Sequence, residues 1–170
     1  MRFKKLFELA KPYLEKNELG TGHTLRVLEI SKKNYNKYDL EESWKDLVFS
    51  LIVLHDIGGP TKEEQYKKGP RIARVLLEKL DYNSFDINLI CKCIEKHHER
   101  LDNPHDIFKI LFDSDHLVMF SKEEFSNYNS KPGFKWEDII QIFYHEDLKD
   151  TAKSLLKERF NECFKPKIGR

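Results

Sequence analysis

His55 and Asp56 close a run, Leu47 to Leu54, that is apolar with almost no polar face. A helix of that composition is buried all round, so the pair belongs where a core helix ends. Ile57, Gly58 and Gly59 then stop the helix, with Gly58 or Gly59 suited to a left-handed cap. A buried carboxylate without a partner is costly. A divalent cation satisfies an ionised carboxylate and a neutral imidazole together, so the pair reads as part of a metal ligand set. Similar residues interrupt apolar faces elsewhere. His23 shares a helical face with Arg26, Val27 and Ile30; His97 and His98 continue the stripe Ile87, Ile90, Cys91, Ile94; Asp115 continues Phe108, Leu111, Phe112. Each alone reads as a partly buried polar residue. Taken together, they come from four separate predicted helices and converge on one kind of chemistry. Asp113 falls on a different face, either solvated or hydrogen-bonding a ligand histidine.

The elements that must position these residues all show helical periodicity. The first covers Phe3 to about Asn17, with Pro12 placed to kink or split it. Thr21 is the expected N-cap of a second helix reaching about Tyr38. The apolar third begins near Glu41 or Ser43. A new helix start follows Pro60, and Lys67-Lys68-Gly69-Pro70 is expected to break it, with Pro70 opening a helix to Leu80. Further helices are expected over about 85–99, 104–120, 136–144 and 148–164. The stretch Ser121 to Lys135 is long for a linker, and is either a lid over a site or a surface excursion. No strand pattern or repeat is present. The expectation is an all-α bundle of seven or eight helices forming one domain over 1–170, with a motif core at about 20–120. The terminal helix has an apolar stripe that suits packing on the core or on a second subunit, as in a homodimer.

Thirty basic and 29 acidic residues give a net charge of +1. That balance leaves no basic excess of the kind nucleic acid requires. Three cysteines, Cys91, Cys93 and Cys163, form no disulfide framework; Cys91 and Cys93 read as small buried hydrophobes in a reducing compartment. No apolar segment approaches a membrane span or a signal core, so the expected location is the cytoplasm.

The order His, His-Asp, Asp resembles the HD-domain superfamily of metal-dependent phosphohydrolases. "GHTLRVLEI" is similar to the family's first His helix, "LIVLHDIG" to its signature helix, "GPRIARVLLEKL" to the next helix, and "ILFDSDHL" to the segment carrying the last Asp. The resemblance spans about Gly20 to Met119. It implies that His23, His55, Asp56 and Asp115 hold one divalent metal. Two-metal members add a His four residues before the glycine of the next helix; here that position is Gln65, ahead of Gly69, while the later pair is kept as His97-His98. The second site therefore reads as incomplete, leaving one metal with His97 and His98 near the substrate phosphate, or a weaker second ion on His97 or His98. Gly59 and His116 also stand where the family often has a basic residue.

Two imidazoles and two carboxylates leave positions open on Mn, Fe, Co, Ni or Mg, with mixed N/O ligation favouring the transition metals. Water on such an ion becomes acidic, to a pKa near ~7 in the best cases, and can attack phosphorus. Arg26 is placed to balance charge on the phosphoryl oxygens and Asp56 to shape the nucleophile, and His97 is one candidate for acid–base work. Glu63 and Glu64 are further acid–base candidates, and Lys62 and Arg71 further cations. The reading is a hydrolase acting on a small phosphate ester, a nucleotide first among them. The alternatives are a catalytically weak or inactive metal- and nucleotide-binding module, and a plain helical interaction protein.

Overall fold

In a computed structural model, which describes residues 1–163, the described chain holds nine α-helices and no strand. They are α1 (Phe3–Leu14), α2 (Gly20–Asn34), α3 (Lys45–Leu54), α4 (Lys62–Glu78), α5 (Ser84–Lys96), α6 (Asp106–Val118), α7 (Phe125–Asn129), α8 (Trp136–Ile142) and α9 (Glu146–Cys163). Every residue of α3 from Leu47 to Leu54 is buried, as an all-round apolar helix requires. Helices α1 and α5 bury one stripe each, Phe3, Leu6, Ala10 and Leu14 in α1 and Ile87, Ile90, Cys91 and Ile94 with Cys93 in α5, while α6 is buried over most of its surface, Ile110 to Ser114 without a break. These stripes close around α3 and form the main core.

A second apolar cluster lies beyond the end of α6. Phe120, Phe125, Trp136, Phe143, Leu148 and Ala152 meet there, with Phe125 stacked on Trp136 at 4.7 Å and 7° between planes. This cluster receives α9 and holds the segment after α6 against the bundle. Phe164, the last residue assigned to the terminal helix from sequence, lies outside the described residues.

Three local expectations are corrected. Helix α4 runs unbroken through Pro70. Proline removes one backbone bond and crowds the preceding turn, but Gln65, Gly69, Ala73, Leu76 and Leu77 form a single buried face, so packing outweighs the local penalty. Gly69 contributes by bareness: a Cβ there would lie 3.0 Å from Ile94 Cγ2. Thr21 lies inside α2, whose first turn has no side-chain cap. Pro12 sits near the C-terminal end of an unsplit α1. Side-chain caps do form at α4, α5 and α6: Thr61 accepts from the Glu64 N–H at 3.2 Å and donates to the Glu64 carboxylate at 3.1 Å, Asn83 accepts from the Asp86 N–H at 2.9 Å, and His105 accepts from the Ile107 N–H at 3.2 Å.

Asp113 is neither solvated nor bonded to a ligand histidine. It is fully buried and accepts from Tyr38 Oη at 2.8 Å, Tyr144 N at 2.8 Å and His145 N at 3.0 Å. The two N–H groups belong to the residues just before α9, near the positive end of its dipole. Burial nevertheless pushes its carboxyl above the usual range, against the lowering effect of those hydrogen bonds.

Candidate metal centre

The histidines are placed by the helices they terminate. His55 is the residue after α3, and its Nδ1–H donates to Ile52 O at 2.7 Å; His97 is the residue after α5, and its Nδ1–H donates to Ile94 O at 2.6 Å. A helix C-terminus leaves carbonyls without partners, and here an imidazole takes one. The bond fixes which ring nitrogen carries the proton and leaves Nε2 to point inward. His116 uses the same device within α6, donating to Phe112 O at 2.7 Å.

Four of the sequence-assigned residues meet at one point. His23 Nε2 lies 3.2 Å from His55 Nε2 and 3.0 Å from Asp115 Oδ1. His55 Nε2 lies 3.5 Å from Asp115 Oδ1 and 3.5 Å from Asp56 Oδ2, which is itself 3.6 Å from His23 Nε2. Two donors at right angles, each about 2.1 Å from an ion, stand about 3 Å apart, so these spacings suit adjacent ligands of one cation. Two facing imidazole nitrogens and two carboxylates need a cation or protons between them. In the metal-free protein the protons do this work. Burial opposes a charge on His23, but hydrogen bonds to Asp115 and Glu124 and the charges of Asp115 and Asp56 prevail, raising it to about 10. His55 is likewise raised, against its burial, chiefly by Asp56 and Asp115. Asp56 and Asp115 are held below the usual carboxylate range because the neighbouring imidazoles outweigh the cost of burial.

Asp56 faces two ways. Its other oxygen, Oδ1, lies 3.3 Å from His97 Nε2. Asp56, His97 and His98 thereby form a second group with ligand atoms within 4.8 Å of one another, next to the group of His23, His55 and Asp56. The second group is modified by Gln65, whose Oε1 is 2.6 Å from His98 Nε2. Burial, reinforced by His97, pushes His98 down to about 3, so the ring is neutral and Nε2–H is the donor to Gln65.

The turn after α3 is held by two contacts. Asn17 Nδ2 donates to Asp56 O at 2.9 Å. Gly58 packs directly on the backbone of α4: a Cβ there would lie 2.5 Å from Gln65 Cα and 2.6 Å from Glu64 O. Gly59 adopts φ +137°, the left-handed backbone expected of one of the two glycines.

The cage opens into a cavity of about 500 Å³. His23, Asp56, Asp115, Gln65, His98 and His116 form its polar side, and Lys62 and Lys131 bring positive charge. Tyr128, Phe134, Met119 and Ile139 supply an aromatic and apolar wall. The stretch 121–135 is therefore a wall of the cavity, with α7 inside it. Lys131 Nζ lies 4.4 Å from the centre of the Tyr128 ring.

Arg26 is placed differently from the expectation. It does not line the cavity; its Nε and Nη2 donate to Glu124 Oε1 at 2.9 and 2.6 Å. His97 is fully buried behind Asp56 and also does not line the cavity. Glu63 and Glu64 pair with Lys67 and Lys68 at 2.6 and 2.7 Å and lie outside the lining. Sequence reasoning missed Glu124, Asn17, Glu18 and Tyr128. The available signal for Glu124 was its position between two aromatic residues, Phe120 and Phe125, both of which are buried.

Fold and donor set together define an all-helical protein with a mixed imidazole–carboxylate centre that fits a divalent ion. A family model described as HD domain matches residues 20–119, and the chain belongs to the HD-domain family, whose members are generally metal-dependent hydrolases. No curated protein and no solved structure matches the chain significantly. Among the described residues, no helix is long and apolar enough to cross a membrane.

Proposed function

We propose that this protein is a metal-dependent phosphohydrolase acting on a small phosphate ester, with a nucleotide as the best-fitting class. One observation carries the reading: four ligand side chains from α2, the end of α3 and α6 meet about one point at the edge of the cavity. When bound there by His23, His55, Asp56 and Asp115, a divalent ion supplies Lewis acidity toward a phosphoryl oxygen and toward water. The rest is the work of the chain. Lys62 and Lys131 offset phosphate charge at the cavity. Neutral His98, oriented by Gln65, offers hydrogen-bonding capacity beside Asp56. The wall of Tyr128, Phe134 and Met119 takes a flat or apolar organic group, and the volume suits a mononucleotide-sized ligand.

The test is metal analysis of the purified protein with a panel of nucleotides and phosphate esters. Stoichiometric divalent metal and hydrolysis abolished by His55→Ala support the proposal; full activity in that variant, with no metal in the parent, rejects it. A second reading is a metal- and nucleotide-binding module without turnover. It is favoured by Gln65 occupying a position beside His98 and by the withdrawal of Arg26 onto Glu124. Tight nucleotide binding with no product would select it.

A further inference from the structure

The three buried imidazoles His23, His55 and His97 solve one problem in two ways. His55 and His97 stand at helix C-termini and give their Nδ1 protons to carbonyls of their own helices. His23 stands in the first turn of α2, where the free backbone groups are N–H donors, and its Nδ1 bonds to no carbonyl of its own helix but to a distant carboxylate. That carboxylate is Glu124, 101 residues away, with both oxygens 3.1 Å from His23 Nδ1. Glu124 is fully buried and lies beyond residues 20–119, the span matched by the family. Arg26, one turn further along α2, balances its charge at 2.6 Å.

We propose that Glu124 is a positioning residue for the metal centre: it holds the His23 Nδ1 proton, and so aims the Nε2 lone pair at the cation. This rests on the metal-binding reading above. A carboxylate behind a ligand imidazole fixes its tautomer and raises its basicity, and removing such a partner commonly weakens metal binding about 10–100-fold. Glu124 is also the residue on which α7 begins, and Tyr128 of α7 lines the cavity. One carboxylate therefore joins the cage to the cavity wall.

Glu124→Gln keeps the shape and removes the charge. Oε1 of the glutamine would stay with Arg26, whose two donors require an acceptor. The new NH₂ then faces His23 Nδ1 and favours the opposite tautomer, with the proton on Nε2. The expected result is about 10–100-fold weaker Zn²⁺ binding in competition with a chelating dye, at unchanged far-UV circular dichroism. Nitrogen-15 NMR of the Zn²⁺-loaded parent is expected to show His23 with a slowly exchanging Nδ1 proton and no proton on Nε2. A folded Glu124→Gln protein that binds Zn²⁺ as tightly as the parent overturns this inference alone. An unprotonated His23 Nδ1 in the loaded parent overturns it even if the variant fails to fold. A parent that binds no divalent ion overturns both this inference and the proposed function.

Discussion

Metal binding should compete directly with protons, and the competition can be measured. Without metal, His23 titrates near 10 because Asp115, Glu124 and Asp56 favour its charged form. At pH 7 its ring must lose a proton before Nε2 can ligate an ion. With a pKa about 3 units above the pH, that loss costs roughly 4 kcal/mol, taking ~1.36 kcal/mol per unit. The apparent affinity should therefore climb close to tenfold per pH unit between about pH 7 and 9. His55, also raised, adds to the slope, and the protons belong to the pair jointly. Calorimetric titration with Mn²⁺ in two buffers of different ionisation enthalpy counts the protons released; at least one per ion is expected at pH 7. The same shifts fix the stability of the chelated protein. A raised histidine stabilises fully below its unfolded value of 6.5, and that contribution is lost as pH rises toward about 10. The lowered carboxylates Asp56 and Asp115 act oppositely: their contribution is present above 3.8 and fades as pH falls below it. The melting temperature of the chelated protein should thus fall between about pH 6.5 and 10 while that of the loaded protein does not. Affinity independent of pH, with no proton release, would refute the reasoning.

Other expectations follow from particular contacts. Gly58→Ala places a methyl group 2.5–2.8 Å from backbone atoms of Gln65, Glu64 and Gly69; it should cost about 1–3 kcal/mol, read by denaturant melts, and lower activity by displacing Asp56. His55→Ala should destabilise even the chelated protein by about 2–4 kcal/mol, since it opens a solvent-free hole and frees the Ile52 carbonyl. Asp113→Ala strands Tyr38 Oη and two N–H groups just before α9; a loss of about 2–4 kcal/mol is expected, with Zn²⁺ affinity of the folded fraction unchanged.

The cage was legible because its members break patterns. His55-Asp56 ends an apolar helix, and Asp115 falls within an apolar stripe of α6. Helical spacing put His23, His97-His98 and Asp115 on apolar faces, and the end of an apolar run marked His55-Asp56; the choice of His23, His55, Asp56 and Asp115 as one ligand set came from the family resemblance. Helical spacing also placed Arg26 on the His23 side of α2 but could not see its partner, because Glu124 sits outside any periodic segment. Asp113 failed for a similar reason: its partners are backbone N–H groups about thirty residues on, which leave no trace in residue type. Helix α4 misled in the other direction. Local rules read Gly69-Pro70 as an ending, whereas Gly69 packs close on Ile94, whose side chain would have to give way to a Cβ 3.0 Å from its Cγ2.

The way His55 closes α3 narrows how this chain could change. Whatever replaced that imidazole would have to reach back to Ile52, fill a space with no access to solvent, and leave no unmet lone pair toward Asp115. An aliphatic side chain would fill the space but leave the Ile52 carbonyl and the Asp115 carboxylate without this partner. Substitutions should therefore be accepted first in the wall around Tyr128 and Lys131, with the helix ends the last part to be rewritten.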